Sequence, residues 1–185
     1  MKTIYIITLV FIIVTVFLSI IILLYREAKR RICDLNDKLN TIEEKYNEKY
    51  NNKYDLVLKF ITIIEEKYKI DSKTFNNIKN LKDNLEINLK NEKLINKGFK
   101  EAKDIKEEKQ KIKELKAFRE IIDNYDENEL SLISLRTYYN NHTLEHNNLI
   151  KRFPYNIISK LKNFNSRNLI EGKEIEIDFN NDLDV

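Results

Sequence analysis

Two histidines one helical turn apart, with a glutamate between them, are the residues in this 185-residue chain spaced for hydrolytic chemistry: His142-Thr143-Leu144-Glu145-His146. In the H-x-x-E-H arrangement both imidazoles hold zinc and the carboxylate acts as general base. Such a centre needs a third protein ligand in an enclosed cleft. Only 39 residues follow His146, and their acids Glu171, Glu174 and Glu176 fall in a segment that reads as an acidic tail. No glycine-rich phosphate loop occurs, and no serine or cysteine stands in a nucleophile motif. Cys33 is the sole cysteine, which excludes an internal disulfide and a cysteine-based zinc site. Bases and acids are interleaved, without the one-signed stripe that nucleic acid requires. No catalytic, cofactor or metal residue is therefore assigned. A membrane-attached zinc hydrolase using His142, Glu145 and His146 stands as the alternative.

The histidines belong to a longer helical pattern. Leu132, Leu135, Tyr139, His142, His146, Leu149 and Phe153 are spaced alternately by three and four, which is one face of a helix. Pro154 lacks a backbone donor and disfavours helix at Phe153, so the helix is expected to stop there. Pro154 then begins a second short helix, Tyr155 to Leu161, with Phe153 buried in the elbow. Upstream, Asp126 and Glu129 have the spacing of a capping box that opens the signature helix after a tight turn.

These residues resemble the signature of the LemA family of membrane-anchored bacterial proteins. The family's two aromatic-asparagine pairs, phenylalanine-proline, asparagine and short aliphatic helix correspond to Tyr139-Asn140, His146-Asn147, Phe153-Pro154, Asn156 and Ile157-Ile158. Lys53-Tyr54-Asp55-Leu56-Val57 is similar to an upstream basic-tyrosine-aspartate-leucine element, and Glu174 to Phe179 to an acidic, β-branched ending. The chain departs from the family at His146, where tyrosine is usual, at Tyr155, where serine is usual, and at Lys162-Asn163, where a phenylalanine-glycine turn is usual. The resemblance implies an anchored helical protein, with Tyr139, Asn140, His146, Asn147, Phe153, Pro154 and Asn156 marking a partner surface.

The elements that carry this motif begin in a membrane span. Thr3 to Tyr25 contains 23 residues and no charge, and at about 1.5 Å per residue it crosses a hydrocarbon core. The run is longer than a signal-peptide core and lacks a small-x-small cleavage site. Arg26, Lys29, Arg30 and Arg31 follow it at once, against Lys2 and the amino terminus before it. The positive-inside rule then puts the amino terminus outside and the rest in the cytoplasm, with the basic collar among anionic headgroups.

Beyond the collar, Ile32, Leu35, Leu39, Ile42, Tyr46, Tyr50, Tyr54, Val57, Ile61, Ile64 and Tyr68 recur at an average of 3.6 residues. That is the period of a nearly straight bundle helix. No breaker separates it from the span, so one rod is expected, with its tyrosines in the core and their hydroxyls at the rim. Asp71-Ser72 marks a turn, and Phe75, Ile78, Leu81, Leu85, Leu89 and Ile95 a second helical face. Gly98 leaves open whether Phe99 to Tyr125 continues that helix or forms a third. Lys106 to Lys116 reads as a solvated, mixed-charge face. From Glu171 to Val185 six acids accompany one base, the pattern of a frayed tail.

Two glycines and one proline in a chain that is 34% charged and 42% hydrophobic point to long helices with few turns. The expected fold is all-α: a flank (1–3), a transmembrane helix (4–25), an antiparallel bundle of three to four long helices (26–165) and an acidic tail (166–185). The expected function is that of an anchored, non-enzymatic scaffold at the bacterial plasma membrane. Its expected partners are the bilayer and a membrane or cytoplasmic protein, with no nucleic acid and with homo-oligomerisation left open.

Overall fold

The computed structural model describes residues 2–82, 85–109 and 116–172. Five helices account for the regular structure among the described residues: α1 (Lys2–Tyr68), α2 (Lys73–Lys79), α3 (Leu89–Lys109), α4 (Lys116–Leu149) and α5 (Tyr155–Lys162). No strand occurs among the described residues, so the all-α class holds. The acidic ending from Glu174 to Phe179 and most of the 166–185 tail lie outside the described residues, as do residues 110–115 of the mixed-charge run.

Helix α1 is a single element of 67 residues, as the absence of glycine and proline over that range requires. It stops where Lys69 turns left-handed at φ 49°. Ser72 then caps α2 by accepting from the Thr74 amide at 3.1 Å. Every residue from 4 to 27 is exposed, and by length and composition this helix is apolar enough to cross a membrane.

The chain divides into two compact units, one of residues 1–41 with 140–169, the other of residues 42–139 with the chain from Ile170. In the second unit the tyrosine stripe is buried as expected: Tyr46, Tyr50, Tyr54, Val57, Ile61 and Ile64 all face the core. The hydroxyls do not reach the rim. Tyr54 donates to the Ile78 carbonyl at 3.0 Å inside the core, and the buried Tyr50 hydroxyl has no hydrogen-bond partner among the described residues.

Two expectations about helix boundaries are corrected here, and the question left open at Gly98 is answered. The face running from Phe75 to Ile95 is not one helix, because α2 ends at Lys79 and α3 begins only at Leu89. Leu81 and Leu85 still pack on the core from non-helical backbone, so burial kept a helical-looking spacing where the backbone is not helical. Gly98 breaks nothing. It lies inside α3, where an added Cβ would come within 2.0 Å of Ile78 Cδ1 and 3.8 Å of Ile61 Cδ1, so the glycine permits close approach of α3 to α1 and α2.

The second correction is that no turn stands directly before Asp126, since α4 runs through it from Lys116. Phe118, Tyr125, Leu132 and Tyr139 are buried at a constant interval of seven, a seam that only continuous helix can present to one side. Glu129 is not in a capping box either, because its carboxylate is taken by Lys53.

Paired contacts give the helix directions within this unit. Tyr46 meets Arg136 and Lys53 meets Glu129, so α4 runs antiparallel to α1. Tyr125 meets Asn96, and Arg136 meets Glu92, so α4 is antiparallel to α3 as well. Leu89, the first residue of α3, lines one cleft with Tyr46 of α1.

In the first unit Ala28, Ile32 and Leu35 of α1 form a cluster with Leu149 and Ile158, joined by Ile150, Tyr155 and Phe164. Here the expected buried elbow is overturned at its central residue: Phe153 is 79% exposed. Helix α4 ends at Leu149, four residues before Phe153, and residues 150–154 form a turn around a cis Phe153–Pro154 bond. Pro154 caps α5 and is not its first helical residue. Burial passes instead to Ile158 and Ser159. Asn163 ends α5 in the left-handed region at φ 55°, which asparagine tolerates better than most residues, and so does the work of the family's usual glycine.

Candidate functional site

The signature residues divide into those that hold the fold and those that remain exposed. Asn147, half-buried near the end of α4, brackets residue 167 of the returning chain. Its Nδ2 donates to the Arg167 carbonyl at 2.8 Å, and its Oδ1 accepts from the Arg167 amide at 2.9 Å. The Arg167 guanidinium in turn donates to Asn36 Oδ1 at 2.9 Å and to Asn40 Oδ1. One motif asparagine thus ties the chain after α5 to α4, and that chain ties itself to α1.

His146 lies directly behind this clasp and is fully buried. The reciprocal bonds fix the orientation of the Asn147 amide, so Oδ1 faces His146 Nδ1 at 3.4 Å. The other ring nitrogen, Nε2, is buried and has no partner among the described residues. Burial lowers the His146 pKa; Asn147 opposes that shift and Arg167 adds to it. The Phe164 ring stands edge-on to the imidazole with centroids 6.4 Å apart. His146 therefore packs as a neutral aromatic, as a tyrosine at this position would.

The hydrolytic alternative meets this geometry directly. Glu145 is drawn to Arg31, whose guanidinium donates to it at 3.1 Å, and it stands 3.6 Å from His142 Nδ1. Among the described residues no group of three His, Cys, Asp or Glu side chains is gathered to hold a metal. Thr143, between the histidines, is buried, and its hydroxyl has no partner among the described residues.

Tyr139 and Asn140 are buried, Pro154 and Asn156 half-buried, and Asn156 Oδ1 is unpartnered among the described residues. Of the seven motif residues only Phe153 is exposed. The collar is exposed throughout: Arg30 pairs with Glu27 at 3.1 Å, Arg31 with Glu145, and Arg26 and Lys29 flank a shallow groove with Leu23 and Cys33. The Glu145 hydrogen bond holds the Arg31 guanidinium above its ordinary range, and the Tyr155 hydroxyl adds to that.

The second unit carries a buried charge network that lies outside the signature residues. Arg136 is 1% exposed. It donates to Glu92 Oε1 and Oε2 at 3.0 and 2.9 Å and to the Tyr46 hydroxyl at 2.7 Å. Burial works against its charge, but Tyr46 and Glu92 outweigh that and keep its pKa above the usual value. Gly172, at φ 139°, rests on the guanidinium so closely that a Cβ there would fall 2.4 Å from its central carbon. A second charge, Lys53, is fully buried against Glu129, with its ammonium 5.6 Å from the centre of the Tyr125 ring. Burial raises the Tyr125 pKa, and its hydroxyl donates to Asn96 at 2.9 Å. The signal was legible in register: Lys53 sits between Tyr50 and Val57 on the α1 stripe, and Arg136 sits four residues after Leu132.

A family model, described as LemA family, matches residues 43–180, which takes in this network and the signature but not the apolar segment or the collar. No curated protein and no solved structure matches the chain.

Proposed function

The chain belongs to the LemA family, and we propose that it is a membrane-anchored, non-enzymatic helical scaffold. In this reading Ile4 to Tyr25 spans the bacterial plasma membrane once, the amino terminus is outside, and the helical domain stands in the cytoplasm. There it holds a membrane or cytoplasmic protein, or a second copy of itself.

The observation that supports this most is how the polar motif residues are used. Asn147 clasps Arg167, His146 packs as a buried ring, and Arg136 and Lys53 are matched to Glu92 and Glu129. These groups serve internal structure, whereas a reactive site presents perturbed groups to a cleft. The exposed features are the apolar helix, the collar and the turn at Phe153, all suited to contact with a surface. The four collar charges bias orientation, each worth about 1 kcal/mol of attraction near an anionic leaflet.

Topology is tested with a reporter fused after Val185, expected to be active only in the cytoplasm. Cleavage of the domain by protease added outside intact cells would overturn the orientation. The non-enzymatic part is tested by metal content: stoichiometric zinc in the purified chain, lost in His142→Ala, would replace the scaffold with the hydrolase.

A further inference from the structure

Within the first unit, α4 runs toward the apolar end of α1. Glu145 pairs with Arg31, and one helical turn later Leu149 joins the cluster of Ala28 and Ile32. The chain reverses over residues 150–154, packs α5 on the same cluster through Ile158, and retreats to reach Asn36 and Asn40 with Arg167. The turn and α5 are therefore the part of this unit nearest to Tyr25. Ala28 is three residues past Tyr25, about 4.5 Å along the axis. The headgroup layer on each side of a hydrocarbon core is about 5 to 8 Å deep. Given the membrane-anchored reading on which this inference rests, the turn lies at headgroup depth.

What this tip exposes is unlike an ordinary soluble surface. Phe153, Ile157 and Leu161 recur every four residues and are 79%, 46% and 69% exposed. Around them Lys151, Arg152, Lys160 and Lys162 are exposed and make no ion pair among the described residues. From Ile150 to Ile170 there is no acid, in a chain where acids and bases are elsewhere interleaved. An apolar stripe edged by bases is the composition of a helix lying in a membrane interface. In the same unit the apolar residues from Ile4 to Leu24 are exposed as well.

We propose that residues 150–162 form an interfacial docking element that seats Phe153, Ile157 and Leu161 at the acyl boundary of an anionic leaflet, with Lys151, Arg152, Lys160 and Lys162 on its headgroups. The occupant of this face is the bilayer that already holds α1. Docking fixes the domain against the membrane at a second point, so that it does not pivot freely about the end of the span.

The test uses the full chain carrying Phe153→Trp, in vesicles of phosphatidylcholine with or without phosphatidylglycerol, with some lipids brominated on the acyl chain. The chain has no other tryptophan, and the substituted position is exposed, so the probe reports this site alone. Bromolipid quenching is expected in anionic vesicles and should be weaker in zwitterionic ones. Adding Lys151→Ala and Arg152→Ala should shift the docked-to-free ratio by roughly 25-fold, at about fivefold per charge. Flotation with the vesicles after carbonate extraction reads anchoring separately. A chain that floats while its tryptophan is unquenched overturns the docking and leaves the anchor standing. A chain that fails to float overturns both. Blue-shifted but unquenched emission assigns the face to a second copy of the chain, and also overturns the proposal.

Discussion

Replacing Arg136 by methionine removes the charge that neutralises Glu92 in the second unit and leaves a mostly buried carboxylate opposite the Tyr46 hydroxyl. Both oxygens of Glu92 share Arg136 Nη2, at 3.0 and 2.9 Å, so the carboxylate loses its charge-assisted contact on both sides. Breaking one side of a buried pair costs about 3 to 5 kcal/mol. Against a typical total of about 5 to 15 kcal/mol that is a large fraction. Methionine has nearly the reach of arginine and fills its space, so little of the loss should come from a cavity. The second substitution, Glu92→Leu, removes the stranded charge. The double variant should therefore recover most of the stability, because an apolar pair of similar volume often equals a buried ion pair. The assay is urea unfolding of the full chain in mild detergent, followed by tyrosine near-UV circular dichroism and comparing midpoints at constant slope. A loss under about 1 kcal/mol for Arg136→Met, or a double variant as unstable as the summed singles, would refute the argument.

Three further outcomes are expected. Burial lowers the His146 pKa below its ordinary 6.5, so the unfolded chain binds that proton more tightly. The contribution is full above about pH 6.5 and is lost as pH falls below it. His146→Gln should flatten the difference between unfolding midpoints at about pH 7.5 and about pH 5.5; an unchanged difference would show that another group carries it. Gly98→Ala gains about 1 kcal/mol of helix propensity but drives its Cβ into Ile78, so it should destabilise by about 1 kcal/mol net. In an Ile78→Val background, which removes the clashing Cδ1, the same change should become stabilising, as thermal midpoints will show. Asn147→Ala unmakes both bonds to the Arg167 backbone and should cost about 2 to 3 kcal/mol. Amide exchange at Arg167 should then accelerate, and unaltered protection there would mean the clasp does not hold the chain.

The long elements were legible because their causes are local. Twenty-three uncharged residues and an unbroken 3.6 period required α1, and ten of its eleven predicted core positions, from Ile32 to Ile64, are buried. The periods of α2 and α3 were also visible, but not the gap between them, since Leu81 and Leu85 satisfy a helical spacing from non-helical backbone. Residues competent to cap at Asp126 and Glu129 suggested a turn where none exists, because capping is worth about 1 kcal/mol and yields to a continuous buried seam. The signature's position was evident in the sequence, but its use was not. Periodicity alone cannot say whether a histidine at a core register binds metal or packs as a ring. That depends on where Glu145 is drawn, and Arg31, 114 residues away in the chain, draws it. The same holds for Phe153: its spacing places it on the helix face, but α4 ends four residues earlier and Ile158 takes the buried place beside Ala28 and Ile32. Spacing along the chain determined which residues form helices, whereas the partners supplied by distant segments decided which side chains are left facing outward.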